Sequence, residues 1–586
     1  MIWLSTTDYL IIAGYFVLII ALSALFRAER FAEMFGEAKK PGWLILAASL
    51  LMIEWSPMND MMGMGLIIDK GYSGIWLLKS RFWLAGVPAI LYATMWSRLR
   101  MQTDNELIRL RFSGKSGIAL HIFRAIFLSI FVIPFFAAFL ILALIKFFHI
   151  FHLPAFAEPK LIVALLVLLL VFKNSFRQKI RTDAVNALVC LTAPFIICFF
   201  LFREFGGAAS IYKTLAGQFS SQVQLIPDFQ GADPGSTALT DFLVFIFVQW
   251  WSVYIVDNSD PNAQRHLQAK NQLAAFKTIF LPIIITGIMF FFVSTIWDCG
   301  ILEYKNNIYG DIDKEALYLH VALKYLPDGF KAFVILAILF SFITTLESII
   351  NWGGGLLTVD IVQKYLFKNG SDRQYTIIAF LAMLLVAVIS VFFAFHNESI
   401  LDLQKFIFSI SAGVAPVFML RWFWWRINAW TQISAMLSSL IYTLVFDALY
   451  AHHSLFRHTL DTLCRELSIS LYAFKIIILT ALVVATWLTV MYRTEPDDRE
   501  HLRKFVAQTG TGGIWPEEIR QEGYHLPKRI FLCLLFAAAY ILPYFIIWQF
   551  KFGSFPVAMT LLCCCLLLLI YVYQSMAELL QHDTTP

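Results

Sequence analysis

Leu51-Met52-Ile53-Glu54-Trp55-Ser56-Pro57-Met58-Asn59-Asp60-Met61-Met62-Gly63-Met64-Gly65 lies inside a long apolar stretch, and its reading decides the fold. Pro57 has no amide hydrogen, so the carbonyl of Ile53, four residues back, loses the partner that a continuous helix would supply. Proline also drives Ser56 out of helical angles, and Gly63 and Gly65 loosen the helix on the far side of it. Glu54, Asn59 and Asp60 crowd the same place, and charge at membrane depth is costly and tends to mark a functional site. The stretch predicts a helix broken at mid-membrane, with bare carbonyls at about Ile53 and Ser56 that call for water or a cation. A simple proline kink satisfied by neighbouring helices is the competing reading, and the three polar neighbours weigh against it.

The rest of the chain supplies the membrane. Of 586 residues, 59% are hydrophobic and only 15% charged, and 56 are Phe, which excludes a water-soluble assembly of domains. With roughly 20 apolar residues needed per crossing, fifteen segments qualify: 8–26, 43–67, 72–97, 117–149, 159–172, 184–203, 237–257, 275–298, 329–362, 375–395, 403–420, 430–449, 470–492, 530–549 and 555–577. The 159–172 segment is short, so the expected total is 14 to 15 helices. Alternate loops at 27–41, 98–116, 173–183, 258–277, 363–374, 421–429 and 493–529 hold 28 of the 45 Lys and Arg, and the intervening ones hold eight. Basic loops stay in the cytoplasm. The N-terminus is therefore expected outside and the C-terminus inside, in a cell inner (plasma) membrane. The first apolar segment lacks a basic leader and a cleavage site, so it reads as a retained helix. No basic face is available for nucleic acid. Cys299 and Cys464 both fall in loops expected outside, where a disulfide is compatible with the compartment. The polar insertion Arg493–Arg529 reads as a solvated linker or a cytoplasmic docking loop.

The ninth segment adds the second half of a site. Ser341, Thr344 and Thr345 stand at i, i+3 and i+4, so their hydroxyls share one helix face. Taken alone, they read as hydroxyls bonding back to carbonyls one turn earlier. Together with the carbonyls of Ile53 and Ser56 they make five neutral oxygens. A divalent ion would call for several carboxylates, so the set points to a monovalent cation, Na+. Asp183 opens the sixth segment and is read either as a charge near that site or as an N-terminal cap. The seventh segment carries Gln249-Trp250-Trp251-Ser252 and ends in Asp257-Asn258-Ser259-Asp260-Pro261; the tryptophans are compatible with an aromatic belt, but Gln249 beside two indoles mid-span reads more as the wall of a polar-solute pocket. Broken helices at matching positions of two halves mark a transporter's binding site. The second and seventh segments match if the core is two inverted five-helix repeats.

On these residues the chain resembles the sodium:solute symporter family. The resemblance rests on the Pro57 break and on Thr103-Asp104-Asn105-Glu106-Leu107-Ile108-Arg109-Leu110-Arg111-Phe112 after the third segment. Thr182-Asp183, Asp260 through Lys270, and Thr344-Thr345 through Asn351 to Asp360-Ile361 complete it. Thr494-Glu495-Pro496 and Gly512-Gly513-Ile514-Trp515 in the insertion resemble a loop of a bacterial branch. The resemblance implies an all-α polytopic membrane protein with a LeuT-type 5+5 inverted-repeat core. That core spans 43–420, preceded by one helix within 1–42 and followed by peripheral helices in 421–492, the loop 493–529 and two last helices in 530–586. It implies Na+ held by Ile53, Ser56, Ser341, Thr344 and Thr345, with Asp183 linked to a further sodium site or to ion release. Solute contacts would come from Asn59, Asp60, Arg81, Arg124, Gln249, Trp250 and Trp251. Ser341, Glu347, Glu54 and Asp60 depart from the family pattern.

The expected activity is sodium-coupled symport of a small polar organic solute, a sugar, organic acid or similar, by alternating access. The partners are the solute, the sodium ion and the bilayer, and no catalysis is expected. A polytopic glycosyl or acyl transferase is the alternative from another class; its only candidate residues are His452, His453, His458 and Asp461. A transporter-like sensor would carry a fused kinase module, and no such stretch comes after the last helix.

Overall fold

The computed structural model describes residues 2–25, 31–34, 41–152, 158–172, 176–227, 238–308, 310, 312–521 and 523–582. Its principal helices are α1 (Thr6–Leu25), α2 (Trp43–Glu54), α3 (Pro57–Lys70), α4 (Phe82–Trp96), α5 (Gly114–His149) and α6 (Pro159–Phe172). There follow α7 (Phe176–Glu204), α8 (Leu239–Phe247), α9 (Gln272–Lys305), α10 (Phe330–Leu366), α11 (Asp372–Phe395) and α12 (Ile400–Ile410). The chain closes with α13 (Ala429–His452), α14 (Ser454–Glu466), α15 (Leu471–Arg493), α16 (Arg499–Thr509), α17 (Leu526–Phe552) and α18 (Phe555–His582). Among the described residues nine helices are long and apolar enough to cross a membrane unaided. Each of the fifteen segments read from the sequence contains helix among the described residues, and two of them, 43–67 and 237–257, are interrupted.

The first interruption falls at Trp55 and Ser56, both extended, between α2 and α3. The second begins after α8: Gln249–Trp251 form one tight turn, and the chain then runs irregularly until Pro261–Leu267. Asn258 adopts a φ of 58°, a left-handed value that Asn tolerates better than most residues. The core closes around these breaks. α2 packs against α7 and α9, and α10 against α7, α11 and α5. Gly353 and Gly354 permit the last two contacts: a Cβ on Gly354 would lie 2.2 Å from Met383 Cγ of α11, and one on Gly353 3.2 Å from an Ile133 methyl of α5. Small residues let membrane helices approach this closely.

The insertion is docked, not a free linker. Leu502, Phe505 and Val506 of α16 are buried, and Gly510 ends that helix in the left-handed conformation. Arg111, fully buried, donates to the carbonyls of Arg421 (2.6 Å), Trp424 (3.0 Å) and Ile427 (2.9 Å) and pairs with Asp497 at 3.4 Å. Its guanidinium also lies 5.6 Å from the Phe505 ring and 5.5 Å from Trp515. Burial, only partly offset by Asp497, pulls Arg111 down to about 10, so it stays charged at neutral pH. Arg111→Ala leaves Asp497 buried without its ionic partner and is expected to cost about 3–5 kcal/mol, read as an earlier unfolding transition of the detergent-solubilised protein.

Cys299 and Cys464 are both free thiols, buried in α9 and α14, so the disulfide allowed by the sequence is not formed.

Candidate ion and solute site

Hydrogen bonding is rearranged at the first break. Pro57 offers no N–H to Ile53, and the N–H of Met58 turns to the Ser56 hydroxyl at 3.4 Å. Asn59 N–H closes a shorter turn onto the Ser56 carbonyl at 3.0 Å. The hydroxyls of α10 meet the remaining carbonyls: Ser341 Oγ donates to that of Trp55 at 2.8 Å, and Thr345 Oγ1 contacts that of Met52 at 3.1 Å. The facing carbonyls are thus Met52 and Trp55, each one residue before the expected Ile53 and Ser56. The physical reason is that Ser56 caps α3 with its side chain and engages its own carbonyl in the turn, so the carbonyls that point sideways are earlier ones. Thr345 Oγ1 also reaches the Ser341 carbonyl at 2.9 Å, the back-bond anticipated for such residues. Thr344 lies between them on the same turn and is buried, with its carbonyl accepting from Lys179 Nζ at 2.7 Å and from Ser348 Oγ at 3.1 Å. The donor set is neutral oxygen throughout, which suits a monovalent cation and offers a divalent one too little charge.

Asp183 sits apart from that set. It lies two turns inside α7, which begins at Phe176, so it is not a helix cap. One carboxylate oxygen accepts from Ser49 Oγ at 2.5 Å and the other is 3.4 Å from Lys179 Nζ. The Arg265 guanidinium stands 3.8 Å away. These partners claim the carboxylate, so its geometry is that of an ion-pair centre.

A cavity of about 290 Å³ opens where the two breaks face each other. Asn59 and Asp60 from the first break line it together with Glu54, and Asn258, Asp260 and Asn262 line it from the second. Asp60 is held from two sides: its carbonyl accepts from Trp297 Nε1 at 2.9 Å and its carboxylate from the Tyr318 hydroxyl at 3.2 Å. Gly63 allows this, because a Cβ there would stand 2.3 Å from the Trp297 ring. Glu54 accepts from Asn262 Nδ2 at 2.8 Å, joining the two breaks across the cavity. Lys79 completes the polar lining, its ammonium 5.6 Å from the Tyr544 ring, and Tyr540 and Tyr544 of α17 form a wall.

Four expected solute contacts lie elsewhere. Arg124 is buried and consumed by Asp104 (2.7 Å), Asn105 (2.9 Å) and the Ser259 carbonyl (3.1 Å). Gln249 donates to the Leu77 carbonyl at 2.7 Å, bracing α8 against the turn before α4. Trp250 and Trp251 pack against one another at a tilt, with centroids 5.2 Å apart, and neither is among the residues lining the cavity. The Arg81 side chain lies outside the described residues. Conversely, the sequence alone does not single out Lys79, Asn258, Asn262, Tyr540 and Tyr544 as pocket residues. For Asn258 and Asn262 a signal exists in the Asp-Asn-Ser-Asp-Pro run that ends the seventh segment.

Two of the four residues of the transferase alternative have structural partners. His453 Nδ1 accepts from the Phe456 N–H at 3.2 Å as the cap of α14, and Asp461 accepts from the Tyr450 hydroxyl at 2.9 Å. Among the described residues no three His, Cys, Asp or Glu converge as metal ligands.

Similarity to known proteins points the same way. Residues 37–440 match the profile of the Sodium:solute symporter family. The chain is similar to the sodium/glucose cotransporter of Vibrio parahaemolyticus, 21% identical over 482 residues, covering 75% of this chain and 85% of that one. The osmoregulated proline transporter OpuE of Bacillus subtilis (strain 168) is 27% identical over 107 residues, 18% of this chain and 22% of the relative, so this match spans about a fifth of that protein. Among solved structures, a Na+-coupled sialic acid symporter in a substrate-bound outward-open state superposes with a TM-score of 0.64 at 16% identity, over 84% of this chain and 99% of that one.

Proposed function

The chain belongs to the sodium:solute symporter family with a LeuT-type, multi-pass α-helical core, and from that premise we propose that it imports a small polar organic solute coupled to Na+ by alternating access. The observation that carries this reading is the meeting of Ser341 and Thr345 with the carbonyls of Trp55 and Met52. Na+ at these oxygens ties the broken α2–α3 crossing to α10, favouring the state that accepts solute, and its departure releases that tie. One charge moving inward through about 100 mV supplies about 2.3 kcal/mol before any concentration term.

Solute binds in the cavity between the two breaks. Glu54, Asp60 and Asp260 outnumber Lys79 there, and aromatic rings of Trp55, Trp297, Tyr540 and Tyr544 line the walls. Such a lining favours a solute that carries hydrogen-bond donors or an amino group, and disfavours a plain anion. The protein sits in the cell inner membrane, N-terminus outside and C-terminus cytoplasmic, which the skew of Lys and Arg toward alternate loops supports. It transports and does not catalyse; the transferase alternative has no support from the family or the relatives. The test is uptake into proteoliposomes of radiolabelled sugars, amino acids and organic acids, with an inward Na+ gradient against an equal K+ gradient. Uptake of at least one solute that collapses when Na+ is replaced is the expected result. Uniform indifference to Na+ across solutes that bind the purified protein contradicts the proposal.

A further inference from the structure

Behind the hydroxyl pair lies a knot of four buried charges that the coupling scheme above does not use. Lys179 and Asp183 come from α7, Glu347 from α10, and Arg265 from the short helix after the second break. All four are under a tenth exposed. The Lys179 ammonium is 2.7 Å from the Thr344 carbonyl, 3.4 Å from Asp183 and 4.0 Å from Glu347. Arg265 approaches Asp183 at 3.8 Å and donates through Nε and Nη2 to Ser49 Oγ (3.2 and 3.0 Å), the same hydroxyl that donates to Asp183. Two cations and two carboxylates balance within the knot, and Glu54 and Asp260, on the cavity side, also act on Arg265.

Thr344 is the pivot between the two sets. Its neighbours on the helix face, Ser341 and Thr345, address the carbonyls of the broken crossing, while its own carbonyl holds an ammonium. A carbonyl flanked by two carboxylates is the kind of site a hard monovalent cation would take. Here a cation on a side-chain tether already fills it. Resting on the sodium-symport reading, we infer that Lys179 is a built-in substitute for a second alkali ion, so that this chain moves a single Na+ with each solute. A further free ion beside Asp183 would have to share that carboxylate with the Lys179 ammonium and the Arg265 guanidinium, and cations crowded where water is excluded repel strongly. The tethered ammonium also sits close enough to the hydroxyl set to oppose Na+ there, since like charges repel strongly where water is excluded. Asp183 accordingly anchors Lys179 and Arg265, and does not ligate the transported ion.

The experiment is the Na+-to-solute stoichiometry of the purified full-length protein in proteoliposomes, read from the membrane potential at which solute flux reverses. Wild type is expected to reverse at the potential set by one Na+ per solute, with a Hill coefficient for Na+ of about one. Lys179→Met empties the tethered position beside two carboxylates; it is expected to move the stoichiometry toward two, raise the Hill coefficient and lower the Na+ concentration for half-maximal flux. Lys179→Arg keeps the charge and is expected to keep the wild-type stoichiometry. Two Na+ per solute in wild type overturns the inference, as does a folded Lys179→Met protein with unchanged stoichiometry and Na+ dependence. Should that variant fail to fold, the wild-type reversal potential alone decides. Flux that ignores Na+ altogether would instead overturn the symport reading on which this one rests.

Discussion

Thr345→Ala is expected to lose most Na+-stimulated uptake at Na+ concentrations that saturate the wild type, while the protein still folds and reaches the membrane. The threonine hydroxyl spans the gap between Met52 on the broken crossing and Ser341 one turn earlier on its own helix. Losing one oxygen from a small neutral set around a charge costs about 1.5–3 kcal/mol, a loss of roughly 10- to 100-fold in Na+ affinity. Adding Ser341→Ala removes the contact to Trp55 as well and is expected to abolish Na+ dependence within any practical concentration. Thr345→Ser restores the oxygen without the methyl and should recover most of the activity. Initial uptake rates titrated against Na+ give the result. Rates in Thr345→Ala that track the wild-type Na+ curve would show that the hydroxyl is merely a helix back-bond.

Asp60→Asn is expected to strike the solute and spare the ion. The carboxylate lines the cavity and accepts from Tyr318, while the peptide carbonyl of the same residue is held by Trp297. The amide keeps the size and leaves the backbone anchor in place, so the broken crossing retains its shape. A hydrogen bond to a charged group contributes about 1.5–3 kcal/mol. KM for solute should therefore rise roughly 10- to 100-fold. Na+ binding to the purified variant, monitored by the protection it gives against thermal unfolding, should stay at the wild-type concentration dependence. Equal loss of both responses would mean that Asp60 supports the fold of the break and not the solute.

The part of this architecture that could be read from the sequence is the part set by single residues and short spacings. Pro57 announces a break whatever surrounds it, and Ser341, Thr344 and Thr345 must share a face once their stretch is helical. The register of the break was not legible. Whether Ser56 spends its side chain and carbonyl on capping α3 depends on the turn that forms, and this moved the facing carbonyls to Met52 and Trp55. Arg124, Gln249 and the two tryptophans look like pocket residues because a polar or aromatic side chain in an apolar segment invites that reading. Their partners, Asp104, the Leu77 carbonyl and one another, are supplied by folding. Tyr540 and Tyr544 come from a helix hundreds of residues beyond the first break, and nothing local in that helix marks which side faces the cavity. Lys179 is invisible for a related reason. At the start of a crossing it resembles any basic residue of a cytoplasmic loop, and only the packing of α7 on α10 shows where its ammonium goes.

Binding of ²²Na+ to the purified protein, without solute and without a membrane potential, isolates the ion site from every other step of transport. Saturable binding by the wild type is expected, displaced by unlabelled Na+ and not by K+, and lost in the Ser341→Ala, Thr345→Ala double variant whose fold is intact. Saturable binding of unchanged affinity in that variant would contradict the assignment of this site, because the ion would then be held somewhere other than between the broken crossing and the hydroxyls of α10.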